Sequence, residues 1–206
     1  MHARTSERTT VIAVLVIDMQ NAFFEDPALG RRQEAIVQAC NSLIAAAKQN
    51  DAPVLLVKTE HERDKSTWTL NMLDDDQGFI FRGSDQAAFL PGLRTEGLPQ
   101  LVKTRDSAFF GTDLLQRLRN WDADIVVLAG VSTHNCIAQT AADAFGHNIR
   151  IVHASDATAS EDDEAATAVQ GILSREYRQQ VLPLTVVTEI LGTPIPSDLW
   201  KSKFPT

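Results

Sequence analysis

Asp124-Ile125-Val126-Val127-Leu128-Ala129-Gly130-Val131-Ser132-Thr133-His134-Asn135-Cys136-Ile137 is the stretch that decides the fold. Asp124 to Leu128 is an apolar run of the length of a buried strand, and Ala138 to Phe145, which follows, reads as a helix. Cys136 therefore stands where a strand has ended and a helix begins. Unpaired backbone N–H groups and the positive end of the helix dipole at that place favour a thiolate over a thiol. The same N–H groups can hold a developing oxyanion.

Upstream, Thr10 to Ile17 is almost continuously apolar, as a strand covered on both faces would be, and it ends at Asp18. Ile36, Cys40, Leu43, Ile44 and Ala47 share one face of a helix over 32–49, where Cys40 reads as a structural thiol. Val54 to Val57 is a second strand. The stretch from Lys58 to Gly97 has weak periodicity and is long for a loop, so it is expected to cover a site and to contain one or two short helices. Leu98 to Lys103 reads as a third strand. A helix starts at Thr112-Asp113 and buries Leu114, Leu115 and Leu118.

Downstream, Asn148 to Val152 is a fifth strand, and Ser160 with Asp163 resembles a capping box opening a further helix. Leu184 to Val187 reads as a sixth strand. Strands alternating with helices predict an α/β fold: a three-layer α/β/α arrangement on a six-stranded, mainly parallel sheet. The chain has 206 residues, which fits one domain over 1–206, its core spanning about 10–190 between a polar N-terminal tail and a Pro-rich C-terminal tail.

The formal net charge of −8 argues against a nucleic-acid partner, because phosphate binding needs a basic footprint. Two cysteines make no disulfide framework and suit a reducing compartment. No apolar run reaches the ~20 residues that cross a bilayer. The expectation is a cytoplasmic protein with no membrane partner.

Asp18, Lys103 and Cys136 each fall at or just after the C-terminal end of an expected strand. In a parallel sheet those ends share an edge, so the three can converge. An acid, a cation and a thiol make a plausible nucleophilic site: the cation lowers the thiol pKa and the carboxylate moves its proton.

Three segments carry a resemblance. They are Val16-Ile17-Asp18-Met19-Gln20-Asn21, then Lys103-Thr104-Arg105-Asp106-Ser107-Ala108-Phe109-Phe110-Gly111-Thr112, then Gly130-Val131-Ser132-Thr133-His134-Asn135-Cys136. In this order they resemble the isochorismatase-like cysteine hydrolases, which include nicotinamidases, N-carbamoylsarcosine, biuret and ureidoacrylate amidohydrolases, and isochorismatases. The resemblance runs from about Thr10 to Thr188. It implies Cys136 as nucleophile, Asp18 as general acid/base, and Lys103 as the group holding thiolate and developing charge. It also implies a cis peptide between Val131 and Ser132, aiming the Ser132 N–H, with that of Cys136, at one oxyanion. One such donor is typically worth ~3 kcal/mol in the transition state.

The reaction so implied is hydrolysis of the C–N bond of a small amide or ureide by water through a Cys136 thioester, without a cofactor, in a homodimer or homotetramer. A vinyl ether hydrolase acting through Asp18 and a non-catalytic binding or scaffold member are the alternatives. Nicotinamidases carry a metal held by an Asp and two His after the second strand. Here that region reads Lys58-Thr59-Glu60-His61-Glu62-Arg63, without the Asp-x-His pattern, so no metal is expected. Candidates to shape the substrate pocket are Phe23, Trp68, Arg105, Phe109 and Phe110, with Arg105 suited to a carboxylate.

Overall fold

The computed structural model describes residues 10–193 together with Ile195, Leu199 and Trp200. Its strands are β1 (Val11–Ile17), β2 (Val54–Thr59), β3 (Gln100–Lys103), β4 (Ala123–Gly130), β5 (Arg150–Thr158) and β6 (Gln180–Leu182). They form one sheet in the order β3-β2-β1-β4-β5-β6, and every neighbouring pair is parallel. The helices are α1 (Pro27–Gly30), α2 (Gln33–Gln49), α3 (Leu70–Asp74), α4 (Leu114–Asn120), α5 (Ala138–Gly146), α6 (Asp163–Tyr177) and α7 (Leu184–Gly192).

Alternation along the strands sorts side chains into two cores. Ile12, Val14 and Val16 face α2 and α7, meeting Cys40, Leu43, Ile44, Val187 and Ile190. Ala13, Leu15 and Ile17 face α4, α5 and α6, meeting Leu114, Leu118, Ala141, Ala144 and Leu173. Both faces of β1 are thus covered, which is why its sequence is apolar throughout. Each leucine fully buried in these layers, such as Leu15 or Leu43, contributes roughly 1.5–3 kcal/mol of transfer free energy. Helix α2 stops where Asp51 turns left-handed (φ 54°) and the Ala52 N–H returns to the Ala47 carbonyl at 2.9 Å, satisfying an end that Pro53 could not extend.

Two sequence expectations are corrected. Leu184–Val187 is not a strand but the start of α7, and the sixth strand is Gln180–Leu182. The Pro183 carbonyl accepts from the N–H groups of both Val186 and Val187, and Asp156 Oδ2 holds the Leu184 N–H at 2.5 Å. The helix then buries Val187 and Ile190, one turn apart, against α2, so tertiary packing overrides the β preference of its valines. At α6 the cap is Asp162, whose Oδ1 accepts from the Ala165 N–H at 2.9 Å, rather than Ser160. The Pro-rich tail lies mostly outside the described residues, as do residues 1–9, though Trp200 packs its ring under the Arg150 guanidinium at 4.9 Å.

From β1 the chain runs outward to β2 and β3, then crosses to β4 on the other side of β1. The carboxyl ends of β1 and β4 therefore flank the switch point, where such sheets open a crevice. Gly130 closes β4 opposite Ile17 with φ 108°. A Cβ there would lie 1.9 Å from the Ile17 carbonyl oxygen, so only glycine lets the two strand ends approach. Gly130→Ala is expected to cost about 3 kcal/mol or more in urea unfolding, from a backbone clash that cannot relax. Gly97→Ala, at φ 69° with nothing within 4 Å of its Cβ, is the control and should cost only ~1–2 kcal/mol.

Candidate active site

Three strand ends bring Asp18, Lys103 and Cys136 together. Lys103 Nζ lies 2.7 Å from Asp18 Oδ2, with the two side chains 1% and 0% exposed, and donates to Cys136 Sγ at 3.4 Å. Its other acceptors are Thr59 Oγ1 at 2.8 Å and the Arg105 carbonyl at 3.2 Å. The Thr59 hydroxyl passes its own hydrogen to Asp18 Oδ1 at 3.0 Å. Asp18 Oδ2 has only the ionic contact with Lys103 and no aligned hydrogen bond among the described residues, so it remains an open acceptor. Asp18 itself adopts φ 55° just past β1, a left-handed conformation that aspartate tolerates better than most residues.

Thr59 is a member of this cluster that sequence reading missed. It is held by Gln20, whose Oε1 accepts the Thr59 N–H at 2.8 Å and whose Nε2 donates to the Thr59 carbonyl at 2.8 Å. Nε2 also reaches the Ala87 carbonyl at 2.9 Å. One buried amide thus completes the hydrogen bonding of the strand end. The signal for it was slight: a threonine just past the expected second strand, paired in register with Lys103.

The protonation states follow from burial and neighbours. Burial works against the Lys103 charge, but the Asp18 carboxylate and Cys136 outweigh it and hold the ammonium above the ordinary lysine range. Burial pushes the Cys136 thiol well above its ordinary value, the Asp18 carboxylate adds to that push, and Lys103 only opposes it. The resting group is a neutral thiol beside an ion pair, which differs from the thiolate expected from the helix start and the lysine. Cys40, sealed in the core, is pushed up to about 12 by burial alone.

Between β4 and α5 the chain makes a wide turn over Thr133–Ile137. The Ser132 carbonyl is taken by the N–H groups of Asn135 at 3.1 Å and Ile137 at 3.2 Å, three and five residues on. An α-turn would have used the N–H four residues on, which belongs to Cys136. The Val131–Ser132 peptide is cis, and Ser132 Oγ donates to Glu161 Oε2 at 2.5 Å. His134 Nδ1 lies 2.6 Å from Ser160 Oγ, tying the turn to the loop before α6.

Over the sulfur opens a cleft of about 700 Å³ whose walls include Thr59, His61, Asp106, Asn135 and Cys136. The segment after β2 roofs it with Thr69 to Met72, Phe79 and Ile80. Of the expected pocket residues, Phe23 and Arg105 line this cleft, whereas Trp68, Phe109 and Phe110 do not. Trp68 is buried within the roof, its Nε1–H on the Glu62 carbonyl at 2.9 Å. Phe109 turns to His147 (ring centroids 5.2 Å apart), because Ala108 N–H and Ser107 Oγ are anchored on Thr140 and Asp143 of α5. Phe110 projects into solvent. Arg105 directs its guanidinium to the carbonyls of Thr104, Thr67 and Trp68, stapling the roof to β3.

The residues after β2 do not suit a divalent cation. The Glu60 carboxylate is bonded to Lys58 at 2.7 Å and Arg82 at 3.1 Å, and Glu62 to Arg82 at 2.7 Å. His61, in the loop after β2 and 2% exposed, gives its Nδ1 hydrogen to the Thr67 carbonyl at 2.9 Å. Burial lowers its pKa, so it is a neutral ring. Among the described residues no three His, Cys, Asp or Glu side chains converge as a metal would require. No helix among them is long and apolar enough to cross a membrane.

Comparison with known proteins agrees with this architecture. The sequence profile of the isochorismatase domain matches residues 12–178. A probable inactive nicotinamidase of Arabidopsis thaliana is 35% identical over 79% of this chain and 88% of its own. Maleamate amidohydrolase of Pseudomonas putida is 31% identical over 68% of each chain. An isochorismatase family protein from Desulfovibrio vulgaris superposes with a TM-score of 0.77 at 29% identity, over 90% of this chain and 100% of that one. The chain belongs to the isochorismatase family of hydrolases.

The raised thiol predicts how the site labels. Iodoacetamide should modify Cys136 slowly near neutral pH and progressively faster above pH 9, as the thiolate forms, while Cys40 stays unmodified in the folded protein. Peptide mapping of labelled protein across pH measures this. A rate at pH 7 already on its plateau would contradict the neutral thiol.

Proposed function

We propose that this chain is a cysteine-dependent amidohydrolase that cleaves the C–N bond of a small amide or ureide through a thioester on Cys136. The observation that carries the reading is a single buried ammonium, Lys103 Nζ, within 2.7 Å of Asp18 and 3.4 Å of Cys136, the last of which lines the cleft. That the relative from Pseudomonas putida is a maleamate amidohydrolase supports the same chemistry.

The steps follow from the geometry. As the sulfur attacks the substrate carbonyl, the open Oδ2 of Asp18 takes the thiol proton. Lys103 keeps the site electrically balanced while negative charge moves to the carbonyl oxygen. The backbone N–H groups of Ser132 and Cys136 hold that oxyanion, and the displaced turn supports this by leaving the Cys136 N–H off the Ser132 carbonyl. Collapse breaks the C–N bond, and Asp18 returns its proton to the departing nitrogen. Water then adds to the thioester, giving its proton to Asp18, and the acid leaves as Cys136 regains its hydrogen. No metal or organic cofactor enters. Assembly as a homodimer or homotetramer belongs to the same reading, and light scattering checks it.

Ammonia release from nicotinamide, maleamate, N-carbamoyl amino acids, biuret and ureidoacrylate is the direct test. Cys136→Ala and Asp18→Asn should each lower kcat/KM by on the order of 10⁴-fold or more, and the double variant by little further, because the groups act as one unit. Activity should survive a chelator. Turnover of a vinyl ether that persists in Cys136→Ala would replace this reading with chemistry on Asp18. Silence on every substrate, with Cys136 unlabelled even above pH 9, would favour the non-catalytic one.

A further inference from the structure

Asp106 lies in the cleft wall beside the nucleophile. Its Oδ1 accepts a long hydrogen bond from the Cys136 thiol at 3.9 Å, and its Oδ2 accepts from Gln139 Nε2 at 2.9 Å. Gln139 is itself fixed by Asn135 Oδ1 at 2.9 Å, so the carboxylate is held in place. No cation pairs with it among the described residues: Lys103 is engaged with Asp18 and Arg105 with backbone carbonyls. Two carboxylates therefore act on the sulfur, Asp18 buried beneath the cleft and Asp106 in its wall. One is ion-paired and carries protons in the proposed reaction; the other has no assigned task.

A carbonyl carbon bonded to Sγ brings its own substituents close to Asp106. An ionised carboxylate can only accept hydrogen bonds. A methylene placed against it strips away water and returns nothing, whereas an N–H satisfies it, so the penalty falls on carbon. Asp18 deals with the departing nitrogen. A substrate that meets both carboxylates has nitrogen on each side of its carbonyl.

We infer that Asp106 is a specificity-determining residue: it accepts a hydrogen bond from an N–H attached to the scissile carbonyl, and so selects the ureide group N–CO–N over the amide group C–CO–N. This rests on the amidohydrolase reading and narrows its substrate class. The S–C bond forms and one C–N bond breaks, with the Cys136 proton passing through Asp18 to the leaving nitrogen. The second nitrogen stays on the carbonyl against Asp106. Water hydrolyses the resulting S-carbamoyl thioester to a carbamate, which loses carbon dioxide.

N-carbamoylglycine and succinamate differ at one position, NH in the first and CH2 in the second, and hydrolysis of either liberates ammonia. The wild type should prefer N-carbamoylglycine by about tenfold or more in kcat/KM, the usual worth of one hydrogen bond to a charged group. Asp106→Asn should erase that preference. Gln139 claims the amide oxygen and leaves the NH2 facing the cleft, a donor where an acceptor was. The same variant should move the pH profile of Cys136 alkylation downward, because one anion that raises the thiol is gone. Equal rates on both substrates in the wild type, or an equal loss on both in Asp106→Asn, would overturn the assignment. Should the wild type hydrolyse neither, protection of Cys136 from iodoacetamide decides. N-carbamoylglycine protecting the wild type but not Asp106→Asn upholds the assignment; equal or absent protection ends it. Ammonia release that persists in Cys136→Ala would instead sink the thioester reading.

Discussion

A buried ion pair at the edge of the sheet is the constraint around which this molecule is built. Taking an ammonium and a carboxylate out of water costs several kcal/mol per ion, and attraction offsets that only when the remaining hydrogen-bonding groups are also satisfied. Lys103 and Asp18 Oδ1 meet that condition through the Thr59 hydroxyl and the Arg105 carbonyl, while Asp18 Oδ2 keeps only its ionic contact with Lys103. Each of those partners is in turn fixed: Thr59 by Gln20, and the Arg105 segment by bonds from its guanidinium to the roof. Such an arrangement is a poor way to gain stability and a good way to place charge where a reaction needs it.

The backbone around the pair shows the same priority. Asp18 sits at φ 55° and Gly130 at φ 108°, at the ends of adjacent parallel strands. A regular sheet would have continued both. Instead β4 ends against the Ile17 carbonyl, and the turn that follows is wider than an α-turn, leaving the Cys136 N–H off the Ser132 carbonyl and Cys136 in the cleft wall. Local irregularity lies where the chemistry is placed, while the layers behind it are regular.

This division explains what could be read from the sequence. The layered α/β fold was legible because β1, β2 and β4 are nearly unbroken apolar runs and α2 carries a clear apolar face. The convergence of Asp18, Lys103 and Cys136 was legible because parallel strands share one carboxyl edge. Leu184 to Val187 was misread because a short β-rich run has no period of its own; only its packing against α2 and the Pro183 carbonyl make it a helix. Trp68, Phe109 and Phe110 were assigned to the pocket on residue type. Their placement depends on bonds no local pattern reveals, such as the Trp68 N–H to the Glu62 carbonyl and the Ser107–Asp143 anchor that turns Phe109 away. Gln20, Thr59 and Gln139 act through contacts distant in sequence, so nothing in their neighbourhoods announced them.

The thiol is where the sequence argument and the structure differ most instructively. A helix start and a nearby lysine both argue for a thiolate. Each is outweighed here: the lysine's charge is already matched by Asp18, and burial with two carboxylates close by disfavours a further anion. Under the proposed mechanism a permanent thiolate would also leave Asp18 no proton to accept at the first step and none to give to the leaving nitrogen. In that proposed reaction, a hydrogen kept on sulfur until a carbonyl arrives couples proton transfer to bond formation. The base for that proton in the proposed reaction is the Asp18 carboxylate, already fully buried beside the sulfur and held by Lys103.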